Sequence, residues 1–120
     1  MLQANKMKLS INDIGGNIVK QDDRYIVKDN TTLINLILSS TLLNPGKETT
    51  GHKHVGQEEV YIFASGSGRM IVDGDTYNEF SVSASDVVLI PDGAFHKVIN
   101  NGTESLYFVC VFDGDRRNHS

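Results

Sequence analysis

Only one cysteine, Cys110, occurs in 120 residues, so no internal disulfide framework holds this chain together and a reducing compartment is the expected setting. Charge of one sign is not concentrated anywhere: eleven basic and fifteen acidic residues are interleaved, for a net charge of −4. That excludes the electrostatic footprint of a nucleic-acid binder or of a protein held on an anionic membrane. Long hydrophobic runs are missing too. The stretch Leu33 to Leu38 is interrupted by Asn35 and is far too short to span a bilayer, and the start Met1-Leu2-Gln3-Ala4-Asn5-Lys6 carries no signal-peptide core. A soluble, cytoplasmic protein with neither nucleic-acid nor membrane partners is expected. Helical periodicity is scarce as well: the one short candidate, Ile11 to Ile18, is interrupted by Gly15-Gly16. Without a strand–helix–strand unit there is no dinucleotide-binding fold.

What the sequence does have is β signal. Runs of Val, Ile, Leu, Tyr and Phe recur at short intervals between Gly, Asn, Asp, Ser and Pro, the pattern of an all-β sandwich or barrel. Strands are predicted at Arg24–Lys28, Leu33–Leu43, His52–His54, Glu59–Ala64, Gly68–Val72, Thr76–Phe80, Val87–Ile90, Ala94–Asn100 and Leu106–Phe112. Asp73-Gly74 predicts a two-residue hairpin, and Asn100-Asn101-Gly102 a second turn. The chain is read as one domain: an N-terminal arm or extra strand over 1–22, a barrel over 23–113 and a flexible polar tail over 114–120. Leu33–Leu43 and Leu106–Phe112 are apolar at odd and even positions alike, which predicts burial of both faces. With few helices available as cover, a second copy of the chain is the expected cover, and a homodimer the expected assembly.

The residues that carry chemistry are few. His52 and His54 stand two apart in a predicted strand, so their imidazoles leave the same face and can converge on one ion. Two histidines so spaced also occur at solvated strand edges. Glu59 opens a strand in which Glu59, Tyr61 and Phe63 share one face; if that face is interior, a buried carboxylate needs a cation or another partner. Glu58 points to the opposite face, and spacing does not decide between the two. His96 follows the turn Pro91-Asp92-Gly93, and barrel closure can bring it to the earlier histidines. Three imidazoles and a carboxylate suit a borderline transition metal, Fe, Mn, Ni, Co, Zn or Cu(II), better than calcium or magnesium.

These residues resemble the two motifs of the cupin superfamily. Gly46, His52, His54, Glu59 and Gly66 match the first motif at every specified position, and Pro91, Gly93, His96 and Asn100 match the second. The second motif's leading glycine is replaced by Ser85, which casts doubt on the turn before Asp86, since serine takes a more ordinary backbone conformation than glycine. The resemblance implies a jelly-roll cupin barrel (a double-stranded β-helix). It further implies one divalent metal per chain (Fe, Mn, Ni, Co or Zn) held by His52, His54, Glu59 and His96, with Glu59 rather than Glu58 as the ligand. Those four are also the expected catalytic centre. Asn100 is expected to bond nearby main chain.

Alternation from the ligands places Tyr61, Phe63 and Val98 inside. The last strand contributes either Phe108, Cys110 and Phe112 or Tyr107, Val109 and Val111, so Cys110 is a buried core thiol or a pocket wall. The expected pocket lining is Tyr61, Phe63, Val98, Phe108 and Cys110, and these aromatics also serve as ordinary core. Arg69 and Lys97 alternate outward, leaving no phosphate clamp inside unless Arg24 or Lys47 reaches the mouth. The expected function is a small-molecule metalloenzyme of dioxygenase, lyase or sugar or sugar-phosphate isomerase type. The alternative is a non-catalytic module that binds or senses a sugar or organic acid.

Overall fold

The hairpin at Asp73 shows how the strands assemble. Strand pairing continues through Asp73 opposite Tyr77, and Gly74 donates to the Thr76 carbonyl at 3.2 Å. The loop is therefore the three residues Gly74–Thr76 and not the predicted two, because the first strand runs on through Asp73 while Thr76, predicted to open the second, stays in the turn. The computed structural model describes residues 4–115. Among these, one turn of helix, α1 (Ala4–Met7), precedes nine strands: β1 (Asn17–Gln21), β2 (Tyr25–Asn30), β3 (Leu36–Leu43), β4 (Glu59–Ser65), β5 (Ser67–Asp73), β6 (Tyr77–Ser83), β7 (Val87–Ile90), β8 (Phe95–Ile99) and β9 (Leu106–Asp113).

Two antiparallel sheets form the jelly roll, one in the order β1-β2-β3-β9-β4-β7 and the other β6-β5-β8. Between them lies a core of Leu43, Phe63, Met70, Val82, Val98, Leu106 and Phe108, all at most 2% exposed. Gly66 joins β4 to β5 with φ +84, and a Cβ there would strike the Ser105 carbonyl, so a turn of this shape admits only glycine. Asn100, fully buried, donates to the carbonyls of Leu43 at 3.0 Å and Glu104 at 2.9 Å and accepts from the Gly102 amide at 3.0 Å. One side chain thereby ties the turn after β8 to the end of β3.

Several expectations need correction. The segment His52–His54 is not a strand; His52 forms a single bridge with His96, with reciprocal hydrogen bonds of 3.1 and 2.9 Å, while Gly93 donates to the His54 carbonyl. β3 starts at Leu36, not Leu33, and its outer face is not fully covered, since Leu36 is 48% and Leu42 37% exposed. Part of the cover comes from the same chain. Asp13 lies 3.6 Å from Lys28, and Ile14 is buried. Lys28 pairs with Ser40 and Ser40 with Val109, so the segment before β1 lies over this outer row, where Ser40 and Val109 are buried. Ser85 does not take an ordinary conformation: its φ is +80. Ser85 donates to the Phe63 carbonyl at 2.8 Å and Phe63 donates to the Asp86 carbonyl at 2.9 Å, which clamps the turn in the glycine-like shape. Of the stretch 1–22, residues 1–3 lie outside the described residues, as do residues 116–120 of the expected tail. No helix among the described residues is long and apolar enough to cross a membrane.

Candidate metal and ligand site

The segment from Lys47 to His54 runs beside β8. Thr49 donates to the Val98 carbonyl at 2.9 Å, and the His52–His96 bridge continues the pairing. Alternation along this ribbon puts Thr50, His52 and His54 on one side. The rings of His52 and His54 stack with centroids 5.7 Å apart, and the His96 ring lies 6.4 Å from the first and 6.3 Å from the second. Glu59 enters from β4 and is buried, whereas Glu58 is exposed. Of the two adjacent carboxylates, Glu59 faces the histidines. Its cross-strand neighbours are Ile90 and Phe112, an apolar setting for a charge.

His96 decides what the cluster can hold. Its Nδ1 lies 3.1 Å from the Ala94 carbonyl, which can only accept, so Nδ1 carries the proton. In the neutral ring Nε2 is then a lone pair, yet it stands 2.7 Å from Glu59 Oε2. Two acceptors at that distance need a proton or a cation between them. Burial lowers the pKa of His52 below the ordinary imidazole value, and the charge of Lys20 and the neighbouring histidines add to the effect. His52 is thereby favoured in the neutral form, the form that ligates metals. Among the described residues no three His, Cys, Asp or Glu donors are drawn in tightly enough to enclose an ion as they stand. Metal–nitrogen distances of about 2.1 Å would draw the rings closer together than they stand. The donor types fit a borderline transition metal.

The four side chains open into a cavity of about 540 Å³, in the size range of small-molecule sites. Tyr61, Phe108 and Cys110 line it, together with Ile37 and Phe112. Phe63 and Val98 belong instead to the core beneath, each 1% exposed. The inward set of β9 is Phe108, Cys110 and Phe112, so Cys110 is at once a buried thiol and part of the wall. Tyr61 stacks on Phe108 at 5.4 Å and meets the His96 ring edge-on at 5.6 Å. The rest of the lining is polar and largely unforeseen: Lys20, Tyr25, Asp29, Ser39 and Thr41, which continue the sheet that carries Phe108 and Cys110, with Thr49 and Thr50 on the ribbon of His52. Lys20 sits on β1, where the short β-prone run Ile18-Val19 was the only signal available and carries no hydrophobic period. Arg24 reaches the cavity rim, whereas Lys47 pairs with Asp23 at 3.5 Å, Arg69 lies 3.6 Å from Glu79, and Lys97 pairs with Glu48 at 2.6 Å.

Comparison with known proteins agrees with this fold. The glucose-6-phosphate isomerase of Pyrococcus furiosus is 29% identical over 102 residues, covering 76% of this chain and 53% of that one. The oxalate-binding protein of Thermotoga maritima is 33% identical over 69 residues, 58% of this chain and 54% of that one. This chain thus spans about half the length of either relative. A structure of the Bacillus subtilis oxalate decarboxylase superposes with a TM-score of 0.72 at 26% identity, covering 82% of this chain and 28% of the decarboxylase. The cupin domain profile matches residues 40–112, which hold His52, His54, His96, Glu59 and both sequence motifs, and the chain belongs to the cupin domain family.

Proposed function

We propose that the protein is a metal-dependent enzyme acting on a small molecule, with His52, His54, Glu59 and His96 holding one divalent metal per chain. The observation that carries this reading is the 2.7 Å approach of His96 Nε2 to Glu59 Oε2, with Nδ1 committed to Ala94, beside two more imidazoles in one cavity. When bound, such an ion supplies Lewis acidity toward a substrate oxygen. The chain's own groups do the rest. The Ala94 carbonyl fixes the tautomer of His96, and Tyr61 and Phe108 exclude water from the ligand side. The Bacillus subtilis oxalate decarboxylase has Mn(II) centres, which makes Mn(II) the first ion to load, ahead of Fe, Ni, Co and Zn.

Dioxygenase, lyase and isomerase chemistry all use such a centre. Protein loaded with each ion in turn is to be given oxalate and sugar phosphates, with dioxygen uptake and products followed. Metal-dependent turnover, absent in His54→Ala, supports the enzyme reading and assigns the class. The second reading, a non-catalytic module for an organic acid or sugar, is favoured by the likeness to an oxalate-binding protein. Ligand binding with no product for any ion selects it.

The assembly we propose is a homodimer. Leu38, Val111, Val60 and Leu89 form one cross-strand row on the outer face of the larger sheet, with Leu89 71% exposed. A second copy laid on that row removes it from water.

A further inference from the structure

The polar part of the cavity lining includes oriented donors. Arg24 is anchored by Asp22, whose carboxylate accepts from Nη2 at 2.8 Å and from Nε at 3.3 Å. Its remaining hydrogens point at two hydroxyls: Nη1 donates to Thr50 Oγ1 at 2.7 Å and Nη2 to the Tyr25 phenol oxygen at 3.1 Å. Each oxygen therefore accepts from a permanent cation, and its own proton is left to donate. Among the described residues no other group accepts either proton. Tyr25 and Thr50 both line the cavity.

Lys20 completes the wall. It pairs with Val27 on β2, so it shares the inward face with Val27 and with Tyr25 two residues away. Its ammonium has no ion-pair or hydrogen-bond partner among the described residues, and Lys20 lines the same cavity as His52. An ammonium and two cation-polarised hydroxyls beside a histidine cluster are donors for an anion. Asp29 lines the same cavity, and its carboxylate repels a doubly charged phosphate group at this end more than a singly charged carboxylate.

We propose that Lys20, Tyr25 and Thr50 form a carboxylate subsite, so that the cavity takes a small carboxylic acid with a second oxygen group directed at the His52/His54/Glu59/His96 cluster. The inference rests on the reading of that cluster as the ligand-binding centre and adds the substrate class. Lys20 and the hydroxyls are specificity-determining groups, with Arg24 positioning them.

The test is calorimetric titration of malonate, of its neutral diamide and of glycerol 3-phosphate into Mn(II)-loaded and metal-free protein, with metal content measured on the same samples. Malonate is expected to bind and the diamide to bind at least tenfold more weakly. Lys20→Met is expected to weaken malonate roughly tenfold at unchanged metal content, Lys20→Arg to restore most of the affinity, and Tyr25→Phe to cost a few-fold. Lys20 is exposed on an edge strand, so its variants keep the fold. Malonate affinity unchanged in Lys20→Met, or tighter binding of the phosphate ester than of malonate, overturns the proposal. Protein that takes up no metal but still binds malonate through Lys20 sinks the metal reading and leaves this one standing.

Discussion

Ser85 holds a backbone conformation that suits glycine, with φ +80, because two hydrogen bonds to Phe63 fix the turn. Strain of this kind costs about 1–3 kcal/mol, part of which glycine's greater unfolded-state entropy offsets. Ser85→Gly is therefore expected to stabilise the protein by about 1 kcal/mol, seen as a rise in the denaturant midpoint at constant slope; a fall would show the turn to be relaxed. Asn100 is the opposite case, a buried amide with three main-chain partners. Asn100→Ala leaves two carbonyls and one amide unpaired and should cost about 3 kcal/mol in chemical denaturation. The role of Asn100 in bonding main chain was legible in the sequence. The strain at Ser85 was not, because a serine signals nothing about the clamp around it. Glu59 shows a third situation: its inward direction depends on strand register, which one sequence leaves open between two adjacent glutamates.

At the scale of elements, strands β4, β5, β7 and β9 stand within a residue or so of their predicted bounds, since each is a β-branched or aromatic run closed by a turn residue. Two features were not legible. The ribbon around His52 and His54 pairs with β8 through isolated bonds, and its sequence lacks the apolar alternation that marks a strand. β1 has no buried residue, so no hydrophobic period announces it; yet it carries Lys20. The segment before it matters to stability through Ile14, 2% exposed over the outer face of the larger sheet. Ile14→Ala should cost about 2–3 kcal/mol and speed hydrogen exchange in β3 and β9. Unchanged stability would show that this segment does not cover the sheet.

For the whole molecule, the fold class follows from the absence of helical periodicity together with eight apolar runs, and the position of the site follows from barrel closure. The assembly does not, because the chain supplies part of its own cover and the remaining apolar face says only that something shields it. Light scattering coupled to size exclusion is expected to give two chains per particle, and Leu89→Lys, on the 71% exposed end of the outer row, is expected to give one. A particle of one chain in the unsubstituted protein would contradict the assignment of that face. The central claim is the metal, and its most direct test is elemental mass spectrometry on protein purified without a chelating tag, beside His52→Ala. One transition-metal ion per chain, lost in the variant, is the predicted result; a protein that carries none and takes up none on reconstitution would contradict the account.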